Sequence, residues 1–174
     1  GPEEKRYQER SASVLAARGR QAMFEYNPFR FNPVDPEQIY RAFQYGPLLD
    51  VFMLDERSYR GRNSPNRQTT LDADAAFLGP KQTAWLKQSL KQSKATWKVI
   101  ASDMPISLVV PDLNPDVPKG TYEAWANADD GAPSGRELEL AEILRFIKQE
   151  NIQNVVWVTA DVHYAQATYY HPSR

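Results

Sequence analysis

The sequence predicts an α/β fold, a mainly parallel β-sheet with covering helices. Strand-length apolar runs alternate with helical patterns along the chain, which argues for βαβ units with right-handed crossovers. The main runs, such as "LLDVFML" and "NVVWVTA", are nearly continuous in apolar residues, as buried strands are. A length of 174 residues suits one domain over 1–174 with a core of its own.

The elements follow in order. Ser11 caps a helix through "ASVLAARGRQAMFEY", which Pro28 stops. After a Pro-punctuated loop, "QIYRAFQYG" alternates aromatic and polar residues as a half-exposed strand does, and "LLDVFML" reads as a buried one. Gly46-Pro47 between them predicts an antiparallel pair. Residues 56–78 are polar and turn-rich, and a loop of that length is usually functional or disordered. Pro80 then opens a helix carrying Trp85, Leu86 and Leu90, followed by the strand "TWKVIAS". A second long loop covers 111–135. In the next helix Ser134 and Glu137 suggest a capping box, and Leu140, Ile143, Leu144 and Ile147 line one face. "NVVWVTA" closes the series.

Composition narrows the function classes. Basic and acidic residues nearly cancel, 21 against 22, so no nucleic-acid-binding signature and no polybasic membrane patch stand out. Cysteine is absent, which excludes disulfides, Cys-x-x-Cys zinc sites and a thiol nucleophile. No apolar run approaches membrane-spanning length and no signal peptide is expected at the charged start "GPEEKRYQERSAS".

Three apolar strands end in a carboxylate: Asp55, Asp103 and Asp161. In parallel sheets the C-terminal strand ends share one edge, where ligands bind. Carboxylates gathered there repel one another unless a cation lies between them. His163 adds a nitrogen donor, and such a set suits Ca, Mn, Fe or Zn. Asp161 and His163 also fit a capping pair or a core hydrogen bond, and Asp55 can be neutralised by Arg57 or Arg60. These arginines, with Arg62 beside them in "DERSYRGR", suit an oxyanion such as phosphate. In "YEAWANADDGAPSGRE", Glu123, Asn127, Asp129 and Asp130 are oxygen donors or members of a solvated acidic loop. Trp125 is read as a pocket wall.

The stretches "LDERSYR", "WKVIASDMP", "AWANADDGAPSGRELELAEILRFIK" and "NVVWVTADVHY" resemble the PhoD-like alkaline phosphatase/phosphodiesterase family, within the calcineurin-like metallophosphoesterases. "TADVHY" looks like a variant of the superfamily's Gly-His-x-His motif, with Asp161 in the first ligand position and His163 matching the second His. Asp103 stands near a further metal-binding position, and Asp55, Arg57 and Arg60 match an Asp-x-Arg-x-x-Arg pattern. The resemblance implies the C-terminal half of an αββα sandwich, a partial metallophosphoesterase domain whose remaining metal ligands lie in an N-terminal half. It implies Asp161, His163 and Asp103 on the metals and His163 aiding the leaving group. Asp55, Arg57, Arg60, Trp125 and Asn127 would sit around a phosphate ester. Export to the periplasm or exterior is implied too. The expected activity is hydrolysis of phosphate mono- or diesters, impaired in the isolated chain; the alternative is a non-catalytic module binding an anion or a partner chain.

Overall fold

The computed structural model describes residues 8–160 and 162–170. The chain divides into two compact units, Gly1–Ile39 and Tyr40–Arg174. In the first, helix α1 (Ala12–Tyr26) starts at Ser11, whose backbone is extended and whose side-chain oxygen accepts the Val14 N–H. Asn27 ends it in extended conformation, donating its side-chain amide to the Met23 carbonyl. The segment after Pro28 returns to the helix: Phe31 stacks on Phe24 at 4.6 Å between ring centres, and Glu37 pairs with Arg20 at 3.1 Å.

The second unit holds a four-stranded sheet in the order β1-β2-β3-β4. Strands β1 (Arg41–Tyr45) and β2 (Leu49–Met53) pair antiparallel through a turn in which Gly46 takes φ +65°. Strands β3 (Trp97–Ala101) and β4 (Val155–Val158) then add in parallel. The mixed, mainly parallel α/β sheet is the one expected.

Side-chain alternation sets the buried face. Asp50, Phe52 and Leu54 in and beyond β2, and Lys98, Ile100 and Ser102 in and beyond β3, are the buried positions, and the register places Phe52 against Ile100. Helix α2 (Pro80–Gln92) contributes Leu86 and Leu90, and α3 (Glu137–Gln149) contributes Leu140 and Ile143, to the cluster around Phe52 and Ile100. On β4 only Val155 and Trp157 pack against this cluster; Val156 and Val158 are 40 % and 55 % exposed. No helix among the described residues is long and apolar enough to cross a membrane.

Helix α2 begins as its sequence suggests, with Pro80 in the first turn after Gly79 at φ +77°, a backbone that favours glycine. Helix α3 does not. The expected Ser134–Glu137 capping box is absent, and Arg136 occupies the cap position in helical conformation with no capping side chain. Asn127 takes both polar groups instead: its side-chain amide donates to Ser134 Oγ at 2.8 Å, and its backbone N–H donates to Glu137 Oε1 at 3.1 Å. Leu144, expected on the apolar face, is 42 % exposed.

The two long loops are ordered against each other. Ser64 and Pro111 form bridges to Tyr122, and three buried polar side chains complete the join. Arg136 is 1 % exposed and donates to the carbonyls of Tyr122, Glu123 and Ala124 on one loop and of Gly61 and Arg62 on the other. Asn66 reaches the Trp125 carbonyl and receives the Arg136 N–H. Gly135, at φ +56°, passes so close to Asn66 that a Cβ would lie 2.2 Å from its side-chain oxygen. Glu139 accepts the N–H groups of Phe77, Leu78 and Gly79 and the Thr83 hydroxyl, tying the end of the first loop to α3.

Candidate active-site edge

Strands β2, β3 and β4 are parallel and in register, with Met53 beside Ala101 and Ala101 beside Val158. The segments leaving their C-terminal ends therefore meet. Ser102 N–H donates to the Val158 carbonyl at 3.0 Å, and Ala160 N–H donates to the Asp103 carbonyl at 3.3 Å. This edge carries Asp55 and Asp103, singled out at the strand ends, with distinct fates.

Asp55 is a turn former. Its Oδ1 accepts the backbone N–H groups of Arg57 and Ser58, and Gln82 of α2 grips its backbone N–H and carbonyl. The carboxylate is buried, and its Oδ2 has no hydrogen-bond partner. An Asp beginning a turn this way is preorganising the chain, so the structure does not present Asp55 to a substrate.

Arg57 does stand at the edge, with its side chain 49 % exposed. Its Nε donates to Asp103 Oδ2 at 2.6 Å and its Nη1 to Glu123 Oε1 at 2.8 Å. Partial burial pulls its pKa down, but the bonds to Glu123 and Asp103 outweigh this and the net shift is upward. The third nitrogen, Nη2, meets no hydrogen-bond acceptor among the described residues.

Arg60 is turned inward. It donates to the Asn63 side chain and, at 2.8 Å, to the Glu123 carbonyl, and its guanidinium lies 5.0 Å above the Phe77 ring. Burial, then the neighbouring Arg57 charge, lowers its pKa. Its donors serve the loop scaffold, a correction to its expected place on the substrate. Trp125 and Asn127 are corrected likewise. Trp125 is wholly buried, 4.3 Å from Phe77 between ring centres, and walls no open pocket. Asn127, also wholly buried, spends its side chain on the Asn66 carbonyl, Ser134 and the Asp129 N–H.

Two carboxylates with no specific partner assigned from the sequence matter here. Glu123, read as an oxygen donor or a member of a solvated acidic loop, accepts from Arg57. Glu56 is 1 % exposed, accepting the Met104 N–H at 2.7 Å and lying 2.5 Å from Ser102 Oγ. Burial is the main cause that raises its pKa to about 7, with Asp103 adding to the rise and bonds to Ser102 and Met104 opposing it.

His163 is exposed at φ +56°, beside an open groove that it lines with Pro105, Ile106, Trp157, Tyr164 and Tyr170. Asp161 lies outside the described residues. Asp103 has Arg57 as its cation. No three His, Asp or Glu side chains among the described residues come together in a group that could hold a metal ion. The described donors therefore do not fit a complete metal site.

Comparison with known proteins bears on this edge. The chain is 32 % identical over 160 residues to alkaline phosphatase D of Bacillus subtilis (strain 168), an alignment covering 87 % of this chain and 26 % of that protein. It spans about a quarter of that relative's length. A solved structure described as "Structure of PhoD" superposes with a TM-score of 0.62 at 27 % identity, over 90 % of this chain and 30 % of the other. The family model described as PhoD-like phosphatase matches residues 1–174, and the chain belongs to that family.

Proposed function

We propose that the chain is the C-terminal part of a phosphoesterase that hydrolyses phosphate mono- or diesters. The observation that carries this reading is Arg57: a half-exposed guanidinium with one nitrogen unengaged among the described residues, at the C-terminal edge of parallel strands in a chain matched end to end by a phosphatase family. An arginine fork held this way suits a phosphoryl oxygen. Asp103 and Glu123 flank that arginine, and His163, exposed and lining an open groove, would aid a leaving-group oxygen bound there.

Metal dependence is part of the reading. Asp161 and His163 would supply one side of a site for Ca, Fe, Mn or Zn, with the other ligands from a preceding part of the protein. Metal bound there would polarise the phosphate and lower the pKa of an attacking water. Without those ligands the isolated chain turns over little or no substrate, and export from the cytoplasm fits the same reading. The exposed valines of β4 agree with further protein covering that face.

The test compares this chain with a longer form carrying the preceding segment. p-Nitrophenyl phosphate and bis-p-nitrophenyl phosphate serve as substrates, and metal content is measured by plasma mass spectrometry. Metal and hydrolysis appearing with the longer form, and both lost in Asp161→Ala/His163→Ala, is the expected result. A longer form that binds phosphate yet neither holds metal nor hydrolyses either ester would point to the non-catalytic, anion-binding module.

A further inference from the structure

We propose that Glu123 is a positioning residue for Arg57, fixing the plane of its guanidinium so that Nη2 faces the substrate phosphate; this rests on the reading of Arg57 as a phosphate contact. The argument begins with geometry. Arg57 is gripped from two segments at once, by Asp103 beyond β3 through Nε and by Glu123 on the second long loop through Nη1. A single bond to Nε would leave the guanidinium free to swing about it. The second bond, from a residue 66 positions away, removes that freedom and leaves Nη2 as the nitrogen with no acceptor among the described residues.

The placement of Glu123 is itself overdetermined. Its backbone carbonyl accepts from Arg60 Nη2 at 2.8 Å and from the buried Arg136 Nη1 at 2.9 Å. Two inward arginines thus hold the main chain while the side chain holds a third arginine at the surface. Backbone and side chain have separate tasks, so truncating the carboxylate leaves both carbonyl bonds intact. An ion pair as exposed as this one, with Glu123 33 % and Arg57 49 % exposed, adds little to stability. Its effect is expected in binding and not in the folding transition.

The experiment uses the longer, metal-loaded form on p-nitrophenyl phosphate, with inorganic phosphate as competitor. It compares Arg57→Ala, Glu123→Ala, Glu123→Gln and the Arg57→Ala/Glu123→Ala pair. Arg57→Ala is expected to raise KM and the phosphate inhibition constant about tenfold or more. Glu123→Ala should raise both severalfold at an unchanged melting temperature. Glu123→Gln should recover most of that loss, since an amide oxygen can still accept from Nη1. The double variant should be no worse than Arg57→Ala, because both act through one guanidinium. Losses that simply add, or an unaltered inhibition constant in Glu123→Ala beside a weakened Arg57→Ala, overturn the role of Glu123 alone. An unaltered constant in Arg57→Ala overturns the phosphate contact, and the proposal with it. Should Glu123→Ala fail to fold, the Glu123→Gln and Arg57→Ala constants decide: a Gln variant as weak as Arg57→Ala counts against the proposal.

Discussion

Two clusters of arginine and carboxylate lie within the second unit and are used in opposite ways. In the interior, Arg136 and Glu139 meet mostly backbone: the arginine spans five carbonyls, and the carboxylate takes three consecutive N–H groups. At the strand edge, Arg57, Asp103 and Glu123 meet one another's side chains and remain partly open to solvent. A buried charge bonded to backbone makes two irregular loops behave as one body, since each loop carbonyl or N–H would otherwise be left unsatisfied. A half-exposed charge bonded to side chains contributes little to the fold and can exchange a partner for a ligand. Similar chemistry serves as scaffold in one place and as candidate site in the other.

Breaking the interior cluster should have the largest effect. Arg136→Met removes every bond from that guanidinium and strands carbonyls of both loops, with an expected loss of about 3–5 kcal/mol in urea unfolding. A loss under about 1 kcal/mol would show that water or loop movement replaces the arginine. Glu139→Ala, which leaves three backbone N–H groups and a hydroxyl without their acceptor, should lose about 3 kcal/mol by the same measurement.

Glu56 sharpens the comparison, being buried like Glu139 but beneath the edge. Among the described residues it has two hydrogen-bond partners, and one of them, the Ser102 hydroxyl, also lies 2.7 Å from the Met104 carbonyl. One hydroxyl proton cannot serve both acceptors. A protonated Glu56 resolves the conflict by donating to Ser102 Oγ while Ser102 donates to Met104, in keeping with its pKa near 7. The sign follows directly. The folded chain binds this proton more tightly than the unfolded chain, whose ordinary value is 4.5. Stability from Glu56 is therefore complete below about pH 4.5 and declines as pH rises to about 7, by about 3 kcal/mol in all. Glu56→Gln should flatten that decline in urea midpoints taken from pH 4.5 to 7.5. Parallel curves for the two proteins would mean that Glu56 is ionised throughout.

Much of the fold was legible because its signals are local. Ser11 with Pro28, the Gly46-Pro47 turn and Pro80 each act within a few residues. The capping box failed for a nonlocal reason: Asn127 claims both of its polar groups from outside the helix. Asp55 seemed the natural partner for Arg57 because it is near in sequence, whereas the actual partners lie 46 and 66 positions on. Trp125 among polar residues suggested a pocket wall, yet those neighbours turn to the backbone of the other loop and leave the ring in the core. A signal for the hidden scaffold was present. Arg136 and Glu139 precede Leu140 and Ile143 at helical spacing and extend the buried stripe with charges, a pattern that can be searched for.

The smallest expected effect on stability is at the edge, and it decides whether the two clusters differ in kind. Arg57→Ala breaks two ion pairs, but Arg57 and its two partners are 33–49 % exposed and water can take over their bonds. The expected change in urea unfolding is below about 1 kcal/mol, and smaller still in high salt, which screens such charges. The contrast with Arg136→Met is then at least threefold in free energy for the same residue type. A loss at Arg57 as large as at Arg136 would make the edge a third clamp, pinning the end of β3 to the second loop. With a small loss, any fall in phosphate binding in that variant reflects the missing guanidinium and not a loosened fold.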